Sequence, residues 1–183
     1  MNKTVYYLTG MGGRLHTGLG QGLLSRGCKI AGRELVDEFK MLDFQQRVEL
    51  VISDLKTNFW HEEARVIANS FGAYLFLHAQ SQIEPYIGKV ILLSPVVGKF
   101  LNGDLEGNLT SPRPEKLLLL AKALNFPIPR QCEIYVGAND WRCDPTIVKE
   151  FGSMLGIDVK VVPNAGHMLP KEYVGGLLDK WLA

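Results

Sequence analysis

The stretch "ARVIANSFGAYLFLHA", residues 64 to 79, decides the fold of this 183-residue chain. Its first seven residues are typical of a buried strand, and the nine that follow are almost wholly apolar, which favours a helix packed against a sheet. Ser70 lies at the junction, between Ala68 and Gly72. A tight strand-to-helix turn requires this small-x-Ser-x-small pattern, because larger side chains at the two flanking positions would clash.

Two roles are open to Ser70. In a nucleophile elbow the turn pushes the serine hydroxyl out at the start of the helix, where it can attack a substrate. In a plain helix cap the same hydroxyl would accept a hydrogen bond from a backbone N–H of the first turn. The spacing alone favours neither role, but the strand before Ser70 and the buried helix after it favour the elbow.

Strands and helices alternate along the rest of the chain. Five further strands are expected at residues 4–8, 28–35, 89–95, 132–137 and 157–162, and further helices at 43–59, 114–124, 145–155 and 170–182. Asp43 with Gln46 forms a capping box, and Pro145 and Pro170 lie where the first turns of two helices begin. The alternation predicts one α/β domain over residues 1–183, a three-layer α/β/α structure with a mainly parallel six-stranded sheet.

The loops after the strands are the places to look for chemistry, because open α/β sheets bind ligands beyond the carboxyl ends of their strands. The segment "VGANDWRCDP" after the fifth strand contains Asp140, and "VPNAGHMLP" after the sixth contains His167. Serine, then aspartate, then histidine is the chain order of a catalytic triad built on a nucleophile elbow. We therefore expect Ser70, Asp140 and His167 to meet at one edge of the sheet.

Each triad partner has competitors. Asp144 is a second carboxylate near Asp140, but its place directly before Pro145 better fits a helix cap. The other histidines come too early in the chain to complete the order, and His78 falls within the apolar helix after Ser70, where a packed core histidine is expected; they are His16, His61 and His78.

Composition excludes several classes of partner. Twenty Lys and Arg residues balance nineteen Asp and Glu residues without a block of like charge, which argues against nucleic-acid and membrane binding. The three cysteines lack the spacing of a metal site or a disulfide framework, which favours a reducing cytoplasmic location. No apolar run is long enough for a signal peptide or a membrane span, so neither is expected.

Four motifs taken together resemble the α/β-hydrolase superfamily: "TGMGG" after the first strand, "ANSFG" at the elbow, "GAND" at the acid and "AGH" at the base. The resemblance covers nearly the whole chain, whose size is similar to the small single-domain serine hydrolases of the retinoblastoma-binding-protein and YdeN type. It implies a minimal α/β-hydrolase fold without a cap domain and a sheet order of 2-1-3-4-5-6.

The resemblance also implies an oxyanion hole formed by backbone N–H groups. Phe71, directly after the serine, would supply one donor and Met11 of the glycine loop the other. Thr9-Gly10 stands where the family often has His-Gly, so Gly12 stays open as the alternative to Met11.

The expected function is that of a serine hydrolase which cleaves a small carboxylic ester or thioester through an acyl-enzyme, without metal or organic cofactor. The small-molecule acyl substrate would lie near Trp141 and Met168, with Phe71 as a further candidate for the rim. Residues 96–114 predict a polar loop instead of a lid, which would leave the site open. The choice among esterase, thioesterase, amidase, acyltransferase and lyase stays open, as does that between a monomer and a small homo-oligomer.

Two other functions compete with hydrolysis. The fold could serve as a binding or scaffold protein with a vestigial triad. The glycine loop could also bind a nucleotide, but Leu15 and Leu23 occupy the positions where a dinucleotide-binding loop has its third glycine.

Overall fold

The computed structural model describes residues 3–99 and 112–183. Within them, six strands form one sheet in which every neighbouring pair is parallel. The strands are β1 (Thr4–Met11), β2 (Lys29–Leu35), β3 (Arg65–Asn69), β4 (Lys89–Leu93), β5 (Gln131–Gly137) and β6 (Asp158–Val162). Their spatial order is β2-β1-β3-β4-β5-β6, which confirms the predicted sheet.

Helices cover both faces of the sheet. They are α1 (Leu19–Leu24), α2 (Asp37–Met41), α3 (Phe44–Asn58), α4 (Phe71–Gln80), α5 (Lys116–Lys122), α6 (Pro145–Leu155) and α7 (Lys171–Leu182). Alternate strand residues point to opposite faces. One face packs against residues of α3, α4, α5 and α6, and the other against residues of α1 and α7. This is the expected three-layer arrangement.

The helix boundaries show where local sequence signals were sufficient. The capping box is confirmed: the Asp43 carboxylate accepts from the Gln46 N–H at 2.8 Å, and the Gln46 side chain accepts from the Asp43 N–H at 3.1 Å. Pro145 is the first residue of α6, as predicted. Pro170 instead takes the cap position before α7. The short helices α1 and α2 were not predicted.

Most of the loop expected at residues 96–114 lies outside the described residues, since the description stops at 99 and resumes at 112. The flanking residues 96–99 and 112–114 form neither helix nor strand. In the described parts of the chain, no helix combines the length and the apolar composition needed to cross a bilayer.

His78 is packed in the core, as expected. Its ring lies 4.4 Å from that of Tyr74 and 4.9 Å from that of Phe44, measured between centroids. Neither ring nitrogen has a hydrogen-bond partner among the described residues. Burial, with a smaller contribution from the charges of Lys116 and Arg113, lowers the pKa of His78 to about 3. The ring is therefore neutral in the folded protein at pH 7.

With phenylalanine in place of His78, the protein is expected to lose less stability than the wild type when the pH is lowered. The pKa of His78 is lower in the folded protein than in the unfolded chain, so protonation of this histidine favours unfolding. The stability of the wild type is therefore unaffected above about pH 6.5 and decreases as the pH falls toward 3. Between pH 7 and pH 4 this amounts to roughly 3 kcal/mol. Urea unfolding at the two pH values measures the difference, with the exposed His61→Phe as control. An equal acid-induced loss in wild type and His78→Phe would contradict the expectation.

Candidate active site

Ser70 occupies a strained turn between β3 and α4. Its backbone has φ 52° and ψ −117°, in the region that residues other than glycine rarely adopt. The turn packs so tightly against β1 that a Cβ on Gly72 would lie 2.4 Å from the carbonyl oxygens of Leu8 and Thr9. The sequence pattern around Ser70 thus has a steric cause, since only a glycine fits at position 72.

The Ser70 hydroxyl does not cap the helix that it precedes. Its Oγ lies 2.9 Å from Nε2 of His167, across 97 residues of sequence. This contact favours the first of the two roles considered for Ser70, that of a nucleophile beside a base.

His167 connects Ser70 to Asp140. The Nδ1 atom of the ring lies 3.0 Å from each carboxylate oxygen of Asp140. The Asp140 Oδ1 atom also accepts from the backbone N–H groups of Arg142 and Cys143, both at 2.9 Å. Ser70, Asp140 and His167 are all buried, with 5–7% of their surface exposed. The structure therefore brings together the three residues that the chain order had grouped.

The carboxyl of Asp140 is held in its ionised form. Burial would raise its pKa, but hydrogen bonds from His167 and from the N–H of Cys143, together with the electrostatic contribution of His167 and the N–H of Arg142, outweigh burial. The pKa consequently lies below its ordinary value. A carboxylate in this state can orient the imidazole and stabilise its protonated form.

Asp144 has a different task. Its side chain accepts from the Thr146 N–H at 2.8 Å and caps α6, directly before Pro145. The two neighbouring carboxylates thus have different contacts: Asp140 faces His167, and Asp144 caps α6.

The glycine loop passes beside the elbow. A Cβ on Gly10 would lie 3.3 Å from the Cβ of Ser70, so the backbone at this point is in close contact with the serine. Of the two candidate oxyanion donors in the loop, Gly12 already donates its N–H to the Leu35 carbonyl at 3.1 Å. This engagement favours Met11 over Gly12.

The Thr9 side chain fixes the position of this loop. Its buried hydroxyl accepts from the Leu35 N–H at 2.9 Å and donates to the Gly13 carbonyl at 3.2 Å, and so ties the loop to the end of β2. Sequence reasoning noted Thr9 only as a departure from the family pattern. Its structural role shows only once β2 is placed beside β1.

The segment that follows the glycine loop is held by acidic residues. Glu34 accepts from the Leu15 N–H at 2.6 Å, and Arg14 contacts Glu34 at 3.1 Å and Asp37 at 2.7 Å. A dinucleotide-binding sheet uses one acidic residue near the end of its second strand to bind a ribose. Here Glu34 and Asp37, which lie near the end of β2, instead anchor the chain.

The predicted rim residues divide into two groups. Trp141 is 44% exposed, and its ring lies edge-on to that of His167 with 6.1 Å between centroids. Met168 is 82% exposed and follows His167 directly. Phe71 was wrongly included as a rim side chain: it is buried and packs against Tyr74 in the core, because α4 turns it inward. Only its backbone N–H remains a candidate for the site.

Sequence reasoning missed Ser94. The segment 89–95 was expected to be strand throughout, whereas β4 ends at Leu93. Ser94 is fully buried, and its hydroxyl donates to the backbone carbonyl of His167 at 2.8 Å. A Ser-Pro pair at the end of an apolar run was the available signal, since such pairs mark the start of a turn.

One group of potential metal ligands occurs within the described residues. Asp140, Cys143 and His167 each offer a donor atom, and these atoms lie within 4.8 Å of one another. The aspartate and the histidine are already hydrogen-bonded to each other, and burial raises the pKa of the Cys143 thiol. The arrangement thus suits a hydrogen-bonded chain better than a ligand set, because a thiol must lose its proton to bind a metal.

Comparisons with known proteins place this geometry in context. No protein-family model matches the chain, and no curated protein sequence matches it. Solved structures do match. The ydeN gene product of B. subtilis superposes with a TM-score of 0.70 and 14% identity, covering 99% of each chain. The chain has the α/β-hydrolase fold. The expected architecture is thereby confirmed.

Two further structures share this α/β-hydrolase fold. Carboxylesterase CesB (YbfK) from Bacillus subtilis matches with a TM-score of 0.68 and 14% identity, over 100% of this chain and 84% of its own. The α/β-hydrolase enzyme MGS-MChE2, from the metagenome of sediments of the Mar Chica lagoon in Morocco, matches with a TM-score of 0.67 and 18% identity, over 100% and 91%. At such identities the likeness concerns the fold, and function must be argued from the site.

Proposed function

We propose that this protein is a serine hydrolase that cleaves small carboxylic esters or thioesters through an acyl-enzyme. The observation that carries the proposal is the continuous buried chain of hydrogen bonds from Ser70 through His167 to Asp140, which starts at a strained elbow. The fold, shared with proteins named as hydrolases and as a carboxylesterase, supports it.

The mechanism follows from the contacts of the His167 ring. The Nδ1–H group of the ring donates a hydrogen bond to the Asp140 carboxylate, which leaves the Nε2 lone pair facing the Ser70 hydroxyl at 2.9 Å. As Oγ attacks the acyl carbon, Nε2 takes the serine proton, and the carboxylate stabilises the resulting imidazolium. The proton then passes to the departing alcohol or thiol, and water cleaves the acyl-enzyme by the same route in reverse.

Two backbone N–H groups would hold the oxyanion. Phe71 begins α4, whose amino end favours negative charge, and Met11 ends β1 beside the elbow. The close approach of Gly10 to Ser70 brings the loop within reach of the reacting carbonyl. Loss of one such donor typically lowers turnover by about 10²- to 10³-fold.

The acyl or alcohol part of the substrate would contact Trp141 and Met168. Both side chains are exposed apolar surface, and the indole ring lies 6.1 Å from the His167 ring between centroids. Such surface favours apolar substituents close to the scissile bond. A contribution of the indole would show as a higher KM for longer acyl chains in Trp141→Ala.

Hydrolysis of a substrate panel tests the proposal. The panel consists of p-nitrophenyl esters with short and medium acyl chains and of the matching acyl-CoA thioesters. We expect turnover of at least one class, and its complete loss after treatment with a serine-directed sulfonyl fluoride. No turnover of any ester or thioester would contradict the proposal and favour a binding protein with a vestigial triad.

A further inference from the structure

The loop directly after β4 joins the loops that carry the candidate triad. We propose that Ser94 in this loop is a positioning residue, which holds the His167 backbone in the place where the ring can contact both Ser70 and Asp140. The inference rests on the proposed hydrolase function. It assigns no contact with substrate to Ser94.

Three hydrogen bonds connect Ser94 to β5 and to the two loops that carry Asp140 and His167. Its N–H donates to the carbonyl of Tyr135 in β5 at 2.7 Å. Its hydroxyl donates to the carbonyl of His167 at 2.8 Å, and its own carbonyl accepts from the Cys143 thiol at 3.4 Å. Ser94 is thereby bonded both to the loop that carries the base and to the loop that carries the acid.

The loop that carries Ser70 is held by Leu93, the residue directly before Ser94. The Ser70 N–H donates to the carbonyl of Leu93 at 2.9 Å, at the very end of β4. Residues 93 and 94 thus form hydrogen bonds with all three loops that meet in the site. A shift of this short segment would change the positions of Ser70, Asp140 and His167 relative to one another.

The backbone of Ser94 is strained. Its φ of 44° lies in the left-handed region, which is unfavourable for a residue with a side chain by about 1 kcal/mol or more. The residue is also completely buried. Such a conformation persists only where surrounding contacts determine it, and here those contacts are the bonds to the site loops.

Removing the hydroxyl would leave the His167 carbonyl without this buried donor. The loop after β6 could then shift, and the 2.9 Å and 3.0 Å separations of the ring from Ser70 and Asp140 would no longer be held. Misplacement by about 1 Å can lower turnover by 10²-fold. We expect kcat to fall roughly 10- to 100-fold in Ser94→Ala, with KM changed less than about twofold because no substrate contact is lost.

Two variants and one control separate positioning from stability. Ser94→Gly also lacks the hydroxyl but relieves the strained φ, so it should be more stable than Ser94→Ala and equally slow. The control is Ser81→Ala, because Ser81 donates its hydroxyl to a histidine carbonyl, that of His78, at the same 2.8 Å but at the end of α4. This control should retain wild-type kcat and KM.

A proton NMR spectrum provides a readout that does not depend on turnover. The His167 Nδ1 proton, held by Asp140, should give a far-downfield signal in wild type and in Ser81→Ala. We expect this signal to broaden or disappear in both Ser94 variants. If wild type shows no turnover but the signal follows this pattern, the proposed function fails and the positioning role stands.

Either of two results would overturn the proposal. One is a downfield signal and kcat that are unchanged in Ser94→Ala and Ser94→Gly. The other is recovery of wild-type kcat in Ser94→Gly, since activity would then follow backbone strain and not the hydroxyl. Should Ser94→Ala fail to fold, the glycine variant decides alone.

Discussion

Replacing Ser70 with alanine is expected to lower kcat for ester hydrolysis by roughly 10⁴- to 10⁶-fold, the largest effect of any single change. The variant keeps His167 and Asp140 but lacks the hydroxyl that His167 would deprotonate and that would attack the substrate. KM should change little, because the Ser70 side chain contributes mainly to the transition state. Steady-state kinetics on the best substrate of the panel measures both constants.

The Ser70→Ala protein should unfold at nearly the wild-type temperature, since alanine retains the β-carbon and the hydroxyl does not cap α4. This makes thermal unfolding the control for a trivial loss of structure. Residual activity within tenfold of wild type in a well-folded variant would mean that another group carries the reaction.

Replacing Asp140 with asparagine is expected to lower kcat by roughly 10³- to 10⁴-fold with a preserved fold. The N–H groups of Arg142 and Cys143 both point at Oδ1, so the amide oxygen of the variant must take that place. The amide oxygen then stays 3.0 Å from the His167 Nδ1, and the amide NH₂ takes the place of Oδ2 at the same distance. A donor there favours the tautomer with the proton on Nε2, which cannot accept the serine proton.

The matched control for Asp140→Asn is Asp144→Asn. Asparagine caps helices about as well as aspartate, so α6 should keep its start and kcat should stay at the wild-type level. Kinetics of the two variants, measured side by side, compare identical chemical changes four residues apart. Equal losses in both would show that the charge of the loop matters and not the contact with His167.

The parts of the fold that could be predicted were those with strong local causes. The alternation of apolar strands with helices, and the turn pattern around Ser70, predicted an α/β sheet and the edge at which the candidate site lies. The sheet order itself came from the resemblance to a known family. Spacing along the chain does not determine which strands are neighbours.

The two helices that were not predicted, α1 and α2, have weak signals in the sequence. Helix α1 contains two glycines in six residues, and glycine disfavours helices by about 1 kcal/mol. Tertiary packing overrides that preference, since Leu23 is completely buried against the sheet. Helix α2 is only five residues long and has no buried residue, so it offers little hydrophobic periodicity to recognise.

The side chains of the candidate site could be predicted, but the residues that hold its loops in place could not. Ser70, Asp140 and His167 could be grouped because each follows a strand in the expected order. The contributions of Thr9 and Ser94 depend on bonds across 26 and 73 residues, which no local pattern encodes. The inward packing of Phe71 likewise depends on how α4 lies on the sheet.

Peptide mapping after reaction with a fluorophosphonate probe tests the central claim most directly. The probe phosphonylates a serine only where a neighbouring base and an oxyanion hole activate it. Tandem mass spectrometry of the digested protein locates the modified residue. We predict one label per chain, on Ser70, and none in Ser70→Ala or Asp140→Asn at the same exposure time. Labelling of a different serine, or no labelling of the folded wild-type protein, would contradict the account.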